Sequence, residues 1–252
     1  MCTPNVWRST YNSIGTGPAT DTSVGTGPAT DTSVGTGPAT DTSVGTGPAT
    51  DTALGGVVEP ASMGDALDPL AESLRAAPVV DRDGYEYFVH GVTDGVPVVE
   101  PDVLEAVVAG IREATDLADV DVIVAPEAMA IHHATALSLS TGIPFVVARK
   151  RQYGFPEEVA VRQETSYGES ELHLNGVGAG DRVLLIDDVL SSGGTIRAVA
   201  AAIEAADAEL VDVVTVLRRT DVDAGELPVA VTSLLEVRVE EGAVVVDRPA
   251  GV

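Results

Sequence analysis

Four short, largely apolar runs constrain the fold of this chain more than any other feature: residues 120–125, 144–148, 182–186 and 210–217. Each has the length of a strand, and segments with helical periodicity, 131–139 and 195–206, stand between them. The first three read as strands covered on both faces of a parallel sheet. Repeated strand-helix alternation predicts an α/β fold with a doubly wound, mainly parallel sheet. Upstream, Pro101 begins a longer helix with Leu104, Val107, Val108 and Ile111 at helical spacing. Before it, Asp68-Pro69 predicts a short helix with an aspartate cap and a first-turn proline, its buried side marked by Leu70, Leu74 and Ala77. Ligands of doubly wound sheets sit at the carboxyl ends of the strands, so chemistry is sought just after each run.

Charge narrows what such a domain can meet. The chain carries 39 acidic against 14 basic residues, a formal net charge of −25, and Lys150 is its single lysine. A surface this acidic repels nucleic acid backbones and anionic membranes. It fits a halophile's cytoplasm, because the Debye length falls to about 3 Å at 1 M salt and self-repulsion is screened. The one cysteine, Cys2, cannot form an internal disulfide, and no apolar run approaches the length that spans a bilayer. The N-terminus lacks the basic start and apolar core of a secretion signal.

The first quarter of the chain is a different material. The decapeptide GTGPATDTSV begins at Gly15, recurs at Gly25 and Gly35, and closes at Gly45 as GTGPATDTAL. With one Val or Leu per repeat it cannot bury enough apolar surface to offset about 1 to 2 kcal/mol of backbone ordering per residue. Residues 1–64 are therefore expected to be a disordered tail, and 65–252 the folded domain. A spacer or binding role for the tail stands beside a plainer reading, a repeat expansion upstream of a mis-assigned start with Met63 as the true first residue.

The most informative stretch is 183–195, VLLIDDVLSSGGT. Four apolar residues predict a buried strand, Asp187 and Asp188 end it, and a Ser-Ser-Gly-Gly-Thr turn leads into a helix with Ile196, Val199, Ala200 and Ile203 on one face. Gly193 and Gly194 let backbone amides approach a ligand, while Ser191, Ser192 and Thr195 add hydroxyl donors at a positive helix end. These features make a phosphate cradle without the Gly-Lys-Ser/Thr of a Walker loop or the spacing of a dinucleotide loop. Carboxylates cannot bind phosphate directly, but they accept hydrogen bonds from vicinal hydroxyls or hold Mg²⁺ through water. An acid pair beside a phosphate loop describes a sugar phosphate.

The run resembles the signature of type I phosphoribosyltransferases, in which such a strand, acid pair and loop bind the ribose and 5-phosphate of phosphoribosyl pyrophosphate. The resemblance implies that Asp187 and Asp188 are catalytic and hold the ribose hydroxyls, and that Val189, Leu190, Ser191, Ser192, Gly193, Gly194 and Thr195 hold the 5-phosphate. A second site follows the 144–148 run, where Arg149, Lys150 and Arg151 stand together in an acidic chain and read as pyrophosphate contacts. In the family this pair begins a mobile loop over the reaction centre. Here that lid would run from Gln152 to about Glu171, and Glu164, Tyr167 and Gly168 are similar in spacing to adenine phosphoribosyltransferases. A third site follows the 120–125 run at Pro126, Glu127, Ala128, Met129 and Ala130, whose amides could hold pyrophosphate oxygens. The adenine-type pattern carries Arg-Gly where this chain has Met129-Ala130. His132 and His133, just beyond, have no third ligand at metal spacing and read as structural.

In order, the three sites most resemble the archaeal hypoxanthine/guanine phosphoribosyltransferase family, which is close to adenine phosphoribosyltransferases. The resemblance spans Asp65 to about Val246. It implies a small hood ahead of the sheet, where Tyr87 and Phe88, with Tyr85, would contact the base or serve as plain core. It further implies a purine base and phosphoribosyl pyrophosphate as substrates, Mg²⁺ held by substrate and water with no direct protein ligand, and a homodimer. Two rivals stay open: a phosphoribosyl pyrophosphate-sensing regulator without catalysis, and an orotate or uracil enzyme. A DNA-binding regulator needs a basic reading element, yet Arg8 is the one basic residue in the first 64.

Overall fold

The computed structural model describes residues 63–82, 85–165 and 168–249. The expected tail lies outside the described residues except for Met63 and Gly64, which begin the first helix.

A six-stranded sheet positions everything else. Its strands are β3 (Val122–Pro126), β4 (Phe145–Ala148), β7 (Arg182–Leu190), β8 (Glu209–Arg219), β9 (Thr232–Glu240) and β10 (Ala243–Asp247). They lie in the order β10-β9-β8-β7-β3-β4, with β10 antiparallel to β9 and every other neighbour parallel. Two smaller hairpins accompany it, β1 (Val79–Arg82) with β2 (Tyr85–Phe88), and β5 (Val159–Thr165) with β6 (Gly168–Leu174). The helices are α1 (Met63–Ala66), α2 (Asp68–Arg75), α3 (Gly91–Asp94), α4 (Pro101–Ala114), α5 (Ala130–Thr141) and α6 (Gly194–Ala205).

The sheet is doubly wound because alternate residues of its central strands feed two cores. Leu184 and Ile186 of β7 face one side, with Leu70 and Leu74 of α2, Val107 and Ile111 of α4 and Leu137 of α5. Val183 and Leu185 face the other, with Ile196, Val199 and Ile203 of α6 and Leu172 and Leu174 of β6. Each fully buried aliphatic side chain contributes about 1.5 to 3 kcal/mol, so the two layers rather than local propensity fix the fold.

Three expectations are corrected. Strand β4 is the sheet edge, and Phe145, Val146 and Val147 are half-buried because β3 is its one partner within the sheet. Asp68 does not cap α2; the chain enters from α1, Leu67 takes the cap position without a side-chain bond, and Asp68 is the first helical residue. The lid segment is not an open loop, since most of it is the β5-β6 hairpin, whose base packs into the core through Val159, Val161, Leu172 and Leu174.

Candidate active site

Strand β7 does not stop at its aspartates. Its ladder with β8 continues through Asp187 opposite Thr215, Val189 opposite Leu217 and Leu190 opposite Arg218, so both carboxylates are held on rigid backbone at the carboxyl end of the sheet. Asp187 is 5% exposed, Asp188 is half-buried, and the Asp188 amide donates to Asp187 Oδ1 at 3.0 Å. Among the described residues no ion pair joins either to a base. Burial without a compensating cation pushes Asp187 up to about 6. Burial first, and the Asp187 charge second, raise Asp188 well above the usual carboxylate range. The pair is primed for a cation or for hydroxyl donors, either of which favours the ionised form.

Residues 191–193 then turn into α6. Gly193 takes the cap position with φ 75°, and a Cβ there would lie 2.6 Å from Leu227 Cδ2 and 2.9 Å from the Ala224 carbonyl oxygen, so no side chain fits. Arg197 clamps the turn from behind, donating to the carbonyls of Ser192 at 2.6 Å, Ala224 at 2.9 Å and Glu226 at 3.2 Å. Helix α6 has no side-chain cap, so the amides of its first turn, before the Arg197 N–H to Gly193 carbonyl bond, are free to meet an anion.

The neighbouring strands bring the other two sites to the same edge. Pro126 of β3 is paired with Ala148 of β4, which sets Glu127 beside Arg149 in an ion pair of 3.5 Å. The Glu127 amide donates to the Ala148 carbonyl, and the Glu127-Ala128 peptide is cis. Met129 takes the cap position of α5, where Ala130 starts the helix, and its Cε would be 3.3 Å from a Cβ on Gly95. Lys150 is exposed, whereas Arg151 lies over the Tyr153 ring at 5.5 Å. A cleft of about 160 Å³ joins Pro126 and Glu127 to Asp187, Asp188 and the whole run from Val189 to Ile196. A larger groove of about 670 Å³ lies between α4 and α5, lined by Leu104, Val108 and Ala136 together with Glu105, Arg112, Glu113 and Ser140, and it shares no residue with the cleft.

The hairpin is tied to this edge where β6 meets the end of β4. Arg149 and His173 exchange backbone bonds of 2.9 and 2.7 Å, and the buried His173 ring stands 3.7 Å from Glu158 and 3.4 Å from Glu171. The Tyr153 and Gly154 amides bond the Glu158 carboxyl, and the first of these does most to hold it below the usual range. Glu164 and Gly168 fall on facing strands near the tip, and Tyr167 lies outside the described residues. Of the hood aromatics, Phe88 is core, 3% exposed with the Arg219 guanidinium 5.9 Å above its ring, and half-buried Tyr87 gives its hydroxyl to Asp94. His133 is structural: fully buried, its ring nitrogen is 3.0 Å from the Val92 carbonyl, and burial presses its pKa to about 3. Among the described residues no group of three or more His, Cys, Asp or Glu side chains is arranged to hold a metal ion.

Residues 102–246 match the phosphoribosyl transferase domain family. A relative from Haloterrigena turkmenica, called HGPRTase-like protein 3, is 70% identical over 181 residues, covering 72% of this chain and 97% of that one. The chain belongs to the phosphoribosyltransferase family. Another relative, HGPRTase-like protein 2 of Haloquadratum walsbyi, is 51% identical over 72% of this phosphoribosyltransferase and 100% of its own length. Such relatives come from halophilic archaea, in keeping with the acidic surface. The fold agrees with the crystal structure of an adenine phosphoribosyltransferase from Rhodothermus marinus, TM-score 0.57 at 23% identity over 69% of this chain and 99% of that one. The corresponding enzyme from Saccharomyces cerevisiae, complexed with an imino-altritol bisphosphate and adenine, gives TM-score 0.54 at 22% identity over 66% and 98%. The type I phosphoribosyltransferase resemblance drawn from residues 183–195 is thereby confirmed at the level of family, fold and enzyme class.

Proposed function

We propose that this phosphoribosyltransferase salvages a purine base, hypoxanthine or guanine and with lower preference adenine, by converting it and phosphoribosyl pyrophosphate to the nucleoside 5′-monophosphate and pyrophosphate. The observation that carries the reading is the continuity of one cleft, from the amides of α6 through Asp187 and Asp188 to Glu127. The names of the relatives that cover nearly all of their own length support the choice of 6-oxopurines.

In this reading the amides and hydroxyls of residues 191–195 bind the 5-phosphate and supply binding energy remote from the reacting carbon. The bond from the anomeric carbon to pyrophosphate breaks with its electron pair leaving on oxygen, and the base nitrogen forms the new bond. Asp187 and Asp188 accept the ribose hydroxyls, and one of them takes the proton that the base gives up, a role suited to carboxyls raised toward neutrality. Arg149, Lys150 and the Glu127–Met129 amides stabilise charge on the departing pyrophosphate. The two desolvated carboxylates, which have no basic partner, fit a nearby Mg²⁺ held through water. When bound it supplies charge neutralisation of the pyrophosphate. The hairpin's outer part shields the ribosyl cation from water. The proposal includes a cytoplasmic homodimer, checked by light scattering in high salt.

The test is a product assay in concentrated salt with Mg²⁺, phosphoribosyl pyrophosphate and each of hypoxanthine, guanine, xanthine, adenine, uracil and orotate. Monophosphate formed fastest from hypoxanthine or guanine supports the reading. Turnover restricted to a pyrimidine overturns the purine assignment.

A further inference from the structure

One buried polar side chain in the cleft has no part in the roles above. Gln163, on β5, is 6% exposed and lines the cleft beside the phosphate loop. Its Nε2 donates to Thr195 Oγ1 at 2.7 Å, and its Oε1 accepts from the Ser170 hydroxyl at 2.8 Å. Ser170 is the direct cross-strand partner of Gln163 in the hairpin, so the amide is fixed at both ends, one on the hairpin and one on α6. Fixing a glutamine at both ends costs rotamer entropy that a solvated side chain would keep.

We propose that Gln163 is a positioning residue for the 5-phosphate, acting through Thr195. A hydroxyl has one proton to give and two lone pairs to receive. With Gln163 Nε2 donating to Thr195 Oγ1, the hydroxyl accepts there, and its own proton is directed to another acceptor. Thr195 is the second residue of α6, where the free amides also point. The acceptor that completes this arrangement is a phosphate oxygen. The same bond fastens the outer half of the hairpin to the phosphate loop, so occupation of the 5-phosphate subsite also steadies that part of the hairpin. This inference rests on the reading of residues 191–195 as the 5-phosphate site.

The test measures ribose 5-phosphate and pyrophosphate binding by calorimetry on the full chain in high salt, for wild type, Thr195→Val, Gln163→Leu, Gln163→Glu and the Gln163→Leu/Thr195→Val double variant. Loss of one aimed hydrogen bond is expected to weaken ribose 5-phosphate binding about 3- to 10-fold in Thr195→Val and by a similar factor in Gln163→Leu. The double variant should bind no more weakly than Thr195→Val alone. Gln163→Glu should be weaker than Gln163→Leu, because a carboxylate accepts the Thr195 proton and adds a negative charge beside the phosphate. Pyrophosphate binding should be the same in all five proteins. In turnover, KM for phosphoribosyl pyrophosphate should rise in step with the loss of ribose 5-phosphate binding, and kcat should fall by no more than that same factor. Thermal melts in the same buffer identify folded variants, and Gln163→Glu keeps the side chain's shape where Gln163→Leu does not fold. Losses that multiply in the double variant, or wild-type binding by Gln163→Leu beside weakened Thr195→Val, overturn the inference while sparing the loop assignment. Wild-type ribose 5-phosphate binding in Thr195→Val overturns the loop assignment itself.

Discussion

Replacing Asp187 with Asn should make the protein more stable and a poorer enzyme at once. Asn keeps the size of the side chain and an oxygen for the Asp188 amide, which donates at 3.0 Å in the native chain, and removes the charge. In the folded state burial raises Asp187 from 3.8 to about 6. Between those values the folded protein holds a proton that the unfolded chain has lost, so stability falls as pH rises through the window, and above about pH 6 the penalty is complete. Each pH unit between those values corresponds to about 1.36 kcal/mol, so the buried charge costs on the order of a few kcal/mol, shared with Asp188. For a domain of this size each kcal/mol moves Tm by about 2 to 4 °C. Asp187→Asn is therefore expected to melt several degrees above wild type at pH 7.5, with the gap closing toward pH 4. Salt should not erase the gap, since a buried charge is poorly screened. Losing a charge-assisted bond to a ribose hydroxyl costs about 1.5 to 3 kcal/mol, so kcat should fall roughly 10- to 150-fold. The assays are melts from about pH 4, near the unperturbed value, to about pH 8, above the raised one, and steady-state kinetics. A Tm equal to or below wild type at every pH, together with near-normal turnover, would refute both the uncompensated burial and the ribose contact.

Three further outcomes are expected. Replacing Arg149 and Lys150 by Ala should weaken phosphoribosyl pyrophosphate far more than the monophosphate product, which lacks pyrophosphate; calorimetry with both ligands checks this, and equal loss would assign these cations to the fold or the 5-phosphate. Arg197→Ala frees the Ser192, Ala224 and Glu226 carbonyls, and because the guanidinium is exposed the cost should be only about 1 kcal/mol, seen as a severalfold higher KM for phosphoribosyl pyrophosphate with kcat nearly unchanged. Gly193→Ala, which sets a Cβ 2.6 Å from Leu227 Cδ2 at φ 75°, should destabilise the chain by about 1 to 3 kcal/mol by thermal melting and cost at least tenfold in ribose 5-phosphate binding.

What could be read from the sequence follows the range of the forces involved. The core of β7 and the 191–195 turn were legible because each step is local: unbroken burial on two faces, carboxylates at the sheet's edge, then glycines where backbone must approach a ligand. The end of β7 was not, since Asp187 to Leu190 stay extended by pairing with Thr215 to Arg218, residues nearly thirty positions on. The edge position of β4 depends on strand order, which apolar content does not encode. The hairpin carries a period-two signal in Val159, Val161, Leu172 and Leu174, and the polar residues between them make it look like a loop. Strand β9 carries a similar alternation in Leu235, Val237 and Val239, whereas β10 alternates in burial alone, with Val244 and Val246 buried around Val245. Gln163 has no sequence signature, because its role exists only through contact with Thr195 across two elements. Phe88 is an aromatic beside a binding edge whose burial under Arg219 only the packed structure reveals.

Whether one cleft holds phosphoribosyl pyrophosphate from the α6 amides to Glu127 is decided by a crystal structure with phosphoribosyl pyrophosphate and Mg²⁺ bound. The predicted result is the 5-phosphate on the amides of residues 193–195 and the Thr195 hydroxyl, the ribose hydroxyls on Asp187 and Asp188, and the pyrophosphate against residues 127–129 and Arg149. A ligand whose phosphate lies away from α6, or whose ribose leaves both aspartates uncontacted, would contradict it.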